Sequence, residues 1–414
     1  MCINKTLLLN GVIFVYKRNK YLDQIQPFLE KPVIKVITGM RRVGKSYLLR
    51  QIVELLQTQG VSSERILYID KESLDFESIK SYQDLNQLTL TTFLGKTAPC
   101  FLIVDEVQEI DGWERAITSL SGRGDIDILI SGSNAHLLSS ELATLIAGRY
   151  IEFPLYSLGF AEHLTFRGDQ VKDKLSEFEF YLRFGGMPAI YHFEANDDLV
   201  YQYINAVYNT ILLKDIVKRH SIRNVALLEN IARYLFDNIG KTMSAKSIAD
   251  YLKAQRLQLG VDTVQNYLAY FTEALLAHKV QRYDIKGKRH LEIHEKYFLN
   301  DIGIRHALLG YREADISGIL ENLVFLELKR RGYQVYIGKI DDCEIDFVAT
   351  RQREKMYLQV AYLLASPETI AREFGALQKI PDNYPKFVLS LDTLFGHDID
   401  GIQRLNLIDF LLKE

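Results

Sequence analysis

Residues 39–46 read Gly-Met-Arg-Arg-Val-Gly-Lys-Ser and satisfy the pattern GxxxxGK[ST]. These residue types at this spacing suit one ligand class, a nucleoside triphosphate carried with Mg²⁺. Gly39 and Gly44 permit backbone conformations that a side chain would block. The loop and helix start, Arg41, Arg42, Val43, Gly44, Lys45, Ser46 and Tyr47, can then cradle phosphate with their N–H groups. Lys45 would reach the β- and γ-phosphates, and the Ser46 hydroxyl would ligate Mg²⁺. The context agrees: Val33–Ile37 is an apolar run suited to a buried strand, and Tyr47–Val53 has helical apolar spacing.

A second constellation lies about 60 residues on. Cys100-Phe101-Leu102-Ile103-Val104-Asp105-Glu106 is an apolar strand ending in two acids. Asp105 suits the Mg²⁺ shell and Glu106 suits the base that polarises an attacking water. Two acids at a strand end also serve as helix caps. Beside the phosphate loop, catalysis is the favoured reading.

The elements that must hold these residues alternate. Candidate strands at 33–38, 66–70, 101–105, 126–131 and 150–153 are separated by helical stretches, which implies an α/β fold with a parallel sheet covered by helices. In such sheets ligands bind at the carboxyl ends of strands. The phosphate loop, Asp105–Glu106 and Ser131-Gly132-Ser133-Asn134 all fall there. From 161 to 240 the pattern is helical (178–184, 199–218 and 226–238), punctuated by Gly185-Gly186-Met187-Pro188. Ser244 is set to cap a helix at 245–254, followed by a turn, a helix at 262–274 and a hairpin at 280–283 and 290–293. Helix, turn, helix, hairpin is the outline of a winged helix. Residues 296–310 read as a linker. A small α/β domain follows, with a helix at 319–331 and strands near 335–337, 345–349, 357–361 and 387–390.

Composition sets bounds. The 414 residues suffice for about two to four domains. Apolar content of 48% and charged content of 25% describe an ordinary globular chain. A net charge of −3 gives no global sign of nucleic acid, so any such site must be local. Cys2, Cys100 and Cys343 lie far apart, which opposes a disulfide framework or zinc site and suits a reducing cytoplasm. The apolar stretch 6–16 is too short to span a bilayer and reads as an N-terminal extension or strand, so no membrane is expected.

Taken together, these motifs resemble prokaryotic AAA-type ATPases that carry a winged helix and a C-terminal domain of unknown function with a restriction-endonuclease-like core. The resemblance runs from about Lys20 to the C-terminus. It rests on residues 37–46, Asp105-Glu106-Val107-Gln108 with Gly112-Trp113, and Ser131-Gly132-Ser133. Gly148-Arg149, Phe184-Gly185-Gly186-Met187-Pro188 and Glu344-Ile345-Asp346-Phe347 complete it. It implies a P-loop NTPase core at 20–160, a helical lid at 161–240, a winged helix at 241–311 and the endonuclease-like α/β domain at 312–414. It further implies ATP as the nucleotide and a homo-oligomer. Asn134 resembles the polar sensor of the γ-phosphate, with Ser133 the neighbouring candidate. Arg149 stands where such proteins place an arginine finger acting across a subunit interface; a structural arginine is the alternative. Pro188 resembles the lid residue that packs on adenine; a helix-breaking turn is its alternative. Trp113 reads as core packing.

The hairpin region holds His278, Lys279, Arg282, Lys286, Lys288, Arg289 and His290 against one acid, Asp284. That suits phosphate contacts with double-stranded DNA, while Gln255, Arg256, Gln258, Thr263, Gln265 and Asn266 could face a groove. A winged helix used for protein packing is the alternative. In the C-terminal domain, an endonuclease-like site needs carboxylates for Mg²⁺ and a nearby lysine. Glu321 and Asp346 could supply acids, but the third element reads Gln359-Val360-Ala361, without acid or lysine. The expected outcome is the fold without cleavage. An ATP-dependent nuclease, with Lys355 or Lys386 substituting, and a non-hydrolysing nucleotide switch are the alternatives.

Overall fold

The computed structural model describes residues 16–135, 148–193, 196–257, 259–393 and 398–413. The stretch 6–15, Cys2 and Gln258 lie outside the described residues. Two compact units divide the chain, Met1–Leu155 and Tyr156–Glu414.

The first unit is built on a five-stranded parallel sheet. Its strands are β1 (Ile34–Thr38), β2 (Ile66–Asp70), β3 (Cys100–Asp105), β4 (Ile126–Gly132) and β5 (Tyr150–Pro154), in the order β2-β3-β4-β1-β5. The three central strands are buried along their whole length, as continuous apolar runs require when helices cover both faces. The helix Lys45–Thr58 buries Leu48, Leu49, Ile52 and Leu56, one face of a 3.6-residue repeat. The helix Trp113–Ser121 buries Trp113, Ala116, Ile117 and Leu120, so Trp113 is core. Lys35 interrupts the apolar run of β1 without loss, because its ammonium pairs with Asp127 on β4 and donates to the Val33 carbonyl at 2.9 Å.

All five strands run the same way, so their carboxyl ends lie along one edge. Thr38 stands beside Gly132, and Val104 beside Ile130. The phosphate loop, the acids after β3 and the residues after β4 therefore converge.

The second unit holds an eight-stranded mixed sheet. Its strands are β6 (Thr242–Met243), β7 (Ala277–Asp284), β8 (Arg289–Leu299), β9 (Gln334–Ile340), β10 (Cys343–Arg351), β11 (Glu354–Val360), β12 (Lys386–Ser390) and β13 (Gln403–Asn406). The order is β13-β12-β11-β10-β9-β7-β8-β6. The β7–β8 hairpin is no free-standing wing: β7 pairs in parallel with β9, Arg282 beside Ile337 and Asp284 beside Lys339. The predicted helix pair is present as Ala245–Ala254 and Val261–Glu273, and the Ser244 side chain accepts from the Ser247 N–H at the first N-terminus.

Several segments differ from expectation. Residues 296–310 are no linker. They complete β8 and form the helix Ile302–Leu309, with Asp301, Arg305 and His306 buried. Their polar side chains disguise a core position: Asp301 accepts from the Gly186 N–H at 2.8 Å, and Arg305 donates to the Phe236 carbonyl at 3.0 Å. The helical stretch 199–218 is α-helical over Asp197–Thr210 and π-helical over Ile211–Lys218. The helix Pro367–Gln378 and strand β13 went unread, their apolar pattern being short and half-buried.

The Gly-Gly-Met-Pro segment is a packing knot. Gly185 has φ +73°, the left-handed region, and the Gly186 N–H donates to Asp301 Oδ2 at 2.8 Å. A Cβ on Gly186 would sit 2.2 Å from the Leu158 carbonyl oxygen, and one on Gly303 would sit 2.2 Å from that of Phe184. Both obstacles are backbone. Gly186→Ala is therefore expected to lower the stability of the second unit by about 3 kcal/mol. Thermal unfolding followed by circular dichroism tests this; an unchanged transition would show that the knot relaxes freely.

Candidate functional site

The phosphate loop joins β1 to the helix Lys45–Thr58. Gly44 adopts φ +102°, and Gly39 packs so closely that a Cβ there would lie 2.5 Å from the Leu155 carbonyl oxygen. Met40 and Val43 are fully buried beneath the loop and hold it from below. Arg42 also takes a positive φ, +70°. Its side chain is exposed, whereas Arg41 is buried and donates to Glu72 Oε1 at 2.8 Å. Tyr47 lies 47% exposed, with the Arg50 guanidinium 5.8 Å over its ring.

Lys45 is buried at the centre. Its ammonium donates to the Gly39 and Met40 carbonyls at 3.1 and 3.4 Å and stands 3.2 Å from Glu106 Oε1. A phosphate entering the loop would offer this cation a better partner than either carbonyl. Burial pushes Glu106 up, but the Lys45 charge, the Gln108 amide and the Arg41 charge outweigh it and hold its carboxyl below the usual range. Burial raises Asp105, against donation from the Ser131 and Ser46 hydroxyls. The Ser131 hydroxyl donates to Asp105 Oδ1 and also accepts from the Glu106 N–H at 3.1 Å; Tyr68 donates to Asp105 Oδ2 at 3.3 Å.

Ser46 and Asp105 thus stand near one another at the strand ends. A hydroxyl and a buried carboxylate that resists ionisation fit a Mg²⁺ ion that brings its other ligands from phosphate and water. No group of three or more His, Cys, Asp or Glu side chains able to hold a metal occurs among the described residues. Ser133 and Asn134 follow β4 and are buried; the Ser133 hydroxyl has no protein partner.

Arg149 is not brought to this cluster. It precedes β5, its side chain is exposed, and its carbonyl accepts from the Ile34 N–H at the amino end of β1. It stands at least about 13 Å from Thr38 along the strand direction, at the other edge of the sheet. Pro188 belongs to the second unit, half-buried, and opens the short helix Pro188–His192.

Sequence reasoning assigned no role to Ser131, Gln108, Tyr68 or Glu72. Ser131 and Gln108 lie inside quoted motifs, but their roles depend on which oxygen each meets across the sheet.

In the second unit the acids Glu321, Glu344 and Asp346 converge, and the lysine among them is Lys296 from β8. Its ammonium lies 3.2 Å from Glu321 Oε2, 2.7 Å from Glu344 Oε1 and 4.0 Å from Asp346 Oδ1. Lys355 and Lys386 do not substitute: both are engaged with Asp382, through its carboxylate and its carbonyl respectively. Gln359 accepts from the Asp346 N–H at 2.6 Å and donates to Glu373 at 3.0 Å, a structural bridge with no free oxygen turned to the acids. Burial and mutual repulsion raise Glu321, and burial raises Asp346 despite Lys296. Burial would lower Lys296, but the three carboxylates outweigh it and keep it charged.

The chain matches the AAA domain family over residues 31–164 and a domain of unknown function over residues 175–315. An uncharacterised protein of Haemophilus influenzae is 36% identical over 398 residues, 96% of this chain and 98% of the relative. An uncharacterised protein of Methanocaldococcus jannaschii is 30% identical over 425 residues, 98% of this chain and 93% of the relative. The Walker-type ATPase of Pyrococcus abyssi has a similar fold, with TM-score 0.50 at 15% identity over 70% of this chain and 95% of its own. The chain belongs to the family of AAA-domain proteins that the two full-length relatives represent. Its fold is that of a P-loop NTPase with an additional C-terminal domain.

Removing Lys296 would leave three half-buried acids without their buried counter-charge. Lys296→Met is expected to cost about 3–5 kcal/mol at neutral pH. A carboxyl whose folded pKa is raised contributes stability below its unfolded pKa, near 4, and loses it as pH rises through the folded value. With Lys296 gone that loss deepens, so the defect should be smallest near pH 5, grow towards pH 8, and shrink in Lys296→Met/Glu321→Gln. Urea unfolding across this range is the check; a pH-independent defect would refute the charge argument.

Proposed function

We propose that this protein is a Mg²⁺-dependent ATP hydrolase whose nucleotide state governs binding of DNA or a protein partner. The observation that carries the reading is the convergence of Lys45, Ser46, Asp105, Glu106 and Asn134 at the carboxyl ends of β1, β3 and β4. The AAA family match and the P-loop fold support it.

In this reading the loop N–H groups and Lys45 bind the β- and γ-phosphates, and Ser46 and Asp105 hold Mg²⁺, which neutralises charge developing on the phosphate oxygens. Glu106 accepts a proton from the attacking water, and Asn134, or Ser133 with its unpartnered buried hydroxyl, orients the terminal phosphate. Arg149 acts on the site of a neighbouring copy, which requires an oligomer. Pro188, in a lid segment, packs near adenine. No helix among the described residues is long and apolar enough to cross a membrane, and a cytoplasmic setting suits the free Cys100 and Cys343.

For DNA, the support is the helix pair 245–273, which exposes Lys246, Lys253, Gln255, Arg256, Gln265 and Asn266. The hairpin supports it less. Lys279 pairs with Glu295, Lys286 with Asp341, Arg289 approaches Asp284 at 3.7 Å, and His278 is half-buried, its pKa pulled down to about 3 by desolvation of its ring. These pairings favour a protein partner as the second reading. Against a nuclease stands Gln359, which bridges the Asp346 N–H and Glu373 where such a site needs a metal-binding acid.

Glu106→Gln should lower ATP turnover about 100-fold or more while ATP binding persists; undiminished turnover would remove Glu106 from the role of base. Duplex DNA added to wild-type protein should raise turnover several-fold if the helix pair reads DNA. Indifference to DNA in a turnover assay, with no binding by mobility shift, would assign that surface to protein.

A further inference from the structure

Glu106 ends β3 with φ +53° and ψ 52°, a left-handed conformation that costs a residue with a side chain. Both of its carboxylate oxygens are taken. Oε1 faces the Lys45 ammonium at 3.2 Å, and Oε2 accepts from the side-chain amide of Gln108. Only the N–H₂ end of that amide can meet a carboxylate oxygen, so its orientation is settled by chemistry. Gln108 sits in the short turn Val107–Glu109, and its own Oε1 is buried without a partner. Burying an unsatisfied acceptor is unfavourable. Packing alone therefore gives no reason for this side chain.

We propose that Gln108 is a positioning residue for Glu106. It fixes Oε2, so that Oε1 is the oxygen presented to the attacking water once the phosphates of ATP draw Lys45 away. The inference rests on the hydrolytic reading and adds to it the residue that aims the base. In the step concerned, a water oxygen bonds to the γ-phosphorus. The bond from that phosphorus to the β–γ bridging oxygen breaks, ADP leaves with the electron pair, and one water proton passes to Glu106 Oε1. A carboxylate held at one oxygen has a single productive orientation. Without Gln108 it can turn about its last side-chain bond and present either oxygen to Lys45.

The test compares full-length wild type, Gln108→Ala, Gln108→Glu, Glu106→Gln and Gln108→Ala/Glu106→Gln. Single-turnover ATP hydrolysis is read beside steady-state kcat and KM, and a fluorescent ATP analogue reports binding and confirms that each variant folds. Gln108→Ala should lower kcat about 10- to 100-fold with KM and affinity within about twofold. Gln108→Glu keeps the shape but cannot donate when ionised, and should be as slow as Gln108→Ala. The double variant should be no slower than Glu106→Gln, because Gln108 acts only through Glu106. Equal slowing by Gln108→Ala in both backgrounds, or an unchanged kcat in a Gln108→Ala that binds nucleotide, would overturn the inference alone. A wild-type protein that binds ATP without turnover would overturn the hydrolytic reading, and this inference with it.

Discussion

The first unit depends on one buried cation. Lys45 is almost wholly buried, and its charge is met by two loop carbonyls and the Glu106 carboxylate. A buried ammonium without such partners would lose its proton or refuse burial. The arrangement exists because β1 and β3 both end at one edge of the sheet, with β4 between them. The parallel order β2-β3-β4-β1-β5 is therefore the condition for the site. The same geometry places Ser131 between Asp105 and the Glu106 N–H, tying the strand end to its neighbour.

The second unit solves a related problem in the opposite sense. There three half-buried acids meet, and the buried Lys296 enters from a different strand to pair with them. Nearby, Asp301 accepts from the Gly186 and Gly303 N–H groups, while burial raises its pKa to about 6. In both places a charged side chain lies in the interior because distant backbone or side-chain groups satisfy it. The β7–β8 hairpin contributes Lys296 and pairs with β9, so its strands belong to the same sheet as the C-terminal strands.

Much of the first unit was legible because its signals are local. Val33–Thr38 reads as a buried strand from six adjacent apolar or shielded residues, and the phosphate loop from eight consecutive positions. Lys35 was invisible as a core residue because Asp127, its partner, is 92 positions away. The basic look of the hairpin was misleading for a similar reason: Asp341, from outside the hairpin, neutralises Lys286, and Glu295 meets Lys279 across the strands. The linker reading of 296–310 failed because charge in a sequence suggests solvent, whereas Arg305 and Asp301 are buried with their partners.

The sequence by itself determined the P-loop motif, the strand before it and the strand that carries the two acids. Glycine placement, the Lys-Ser pair and an apolar strand ending in two acids follow from local backbone and side-chain chemistry. Only the tertiary structure decided which oxygen of Glu106 faces Lys45, which lysine enters the C-terminal acids, and that Arg149 stands at the far edge of the sheet from its own phosphate loop. The physical reason is range. Backbone preference and hydrophobic period act over a few residues, whereas hydrogen bonds and ion pairs join groups that approach only after the strands are ordered and paired.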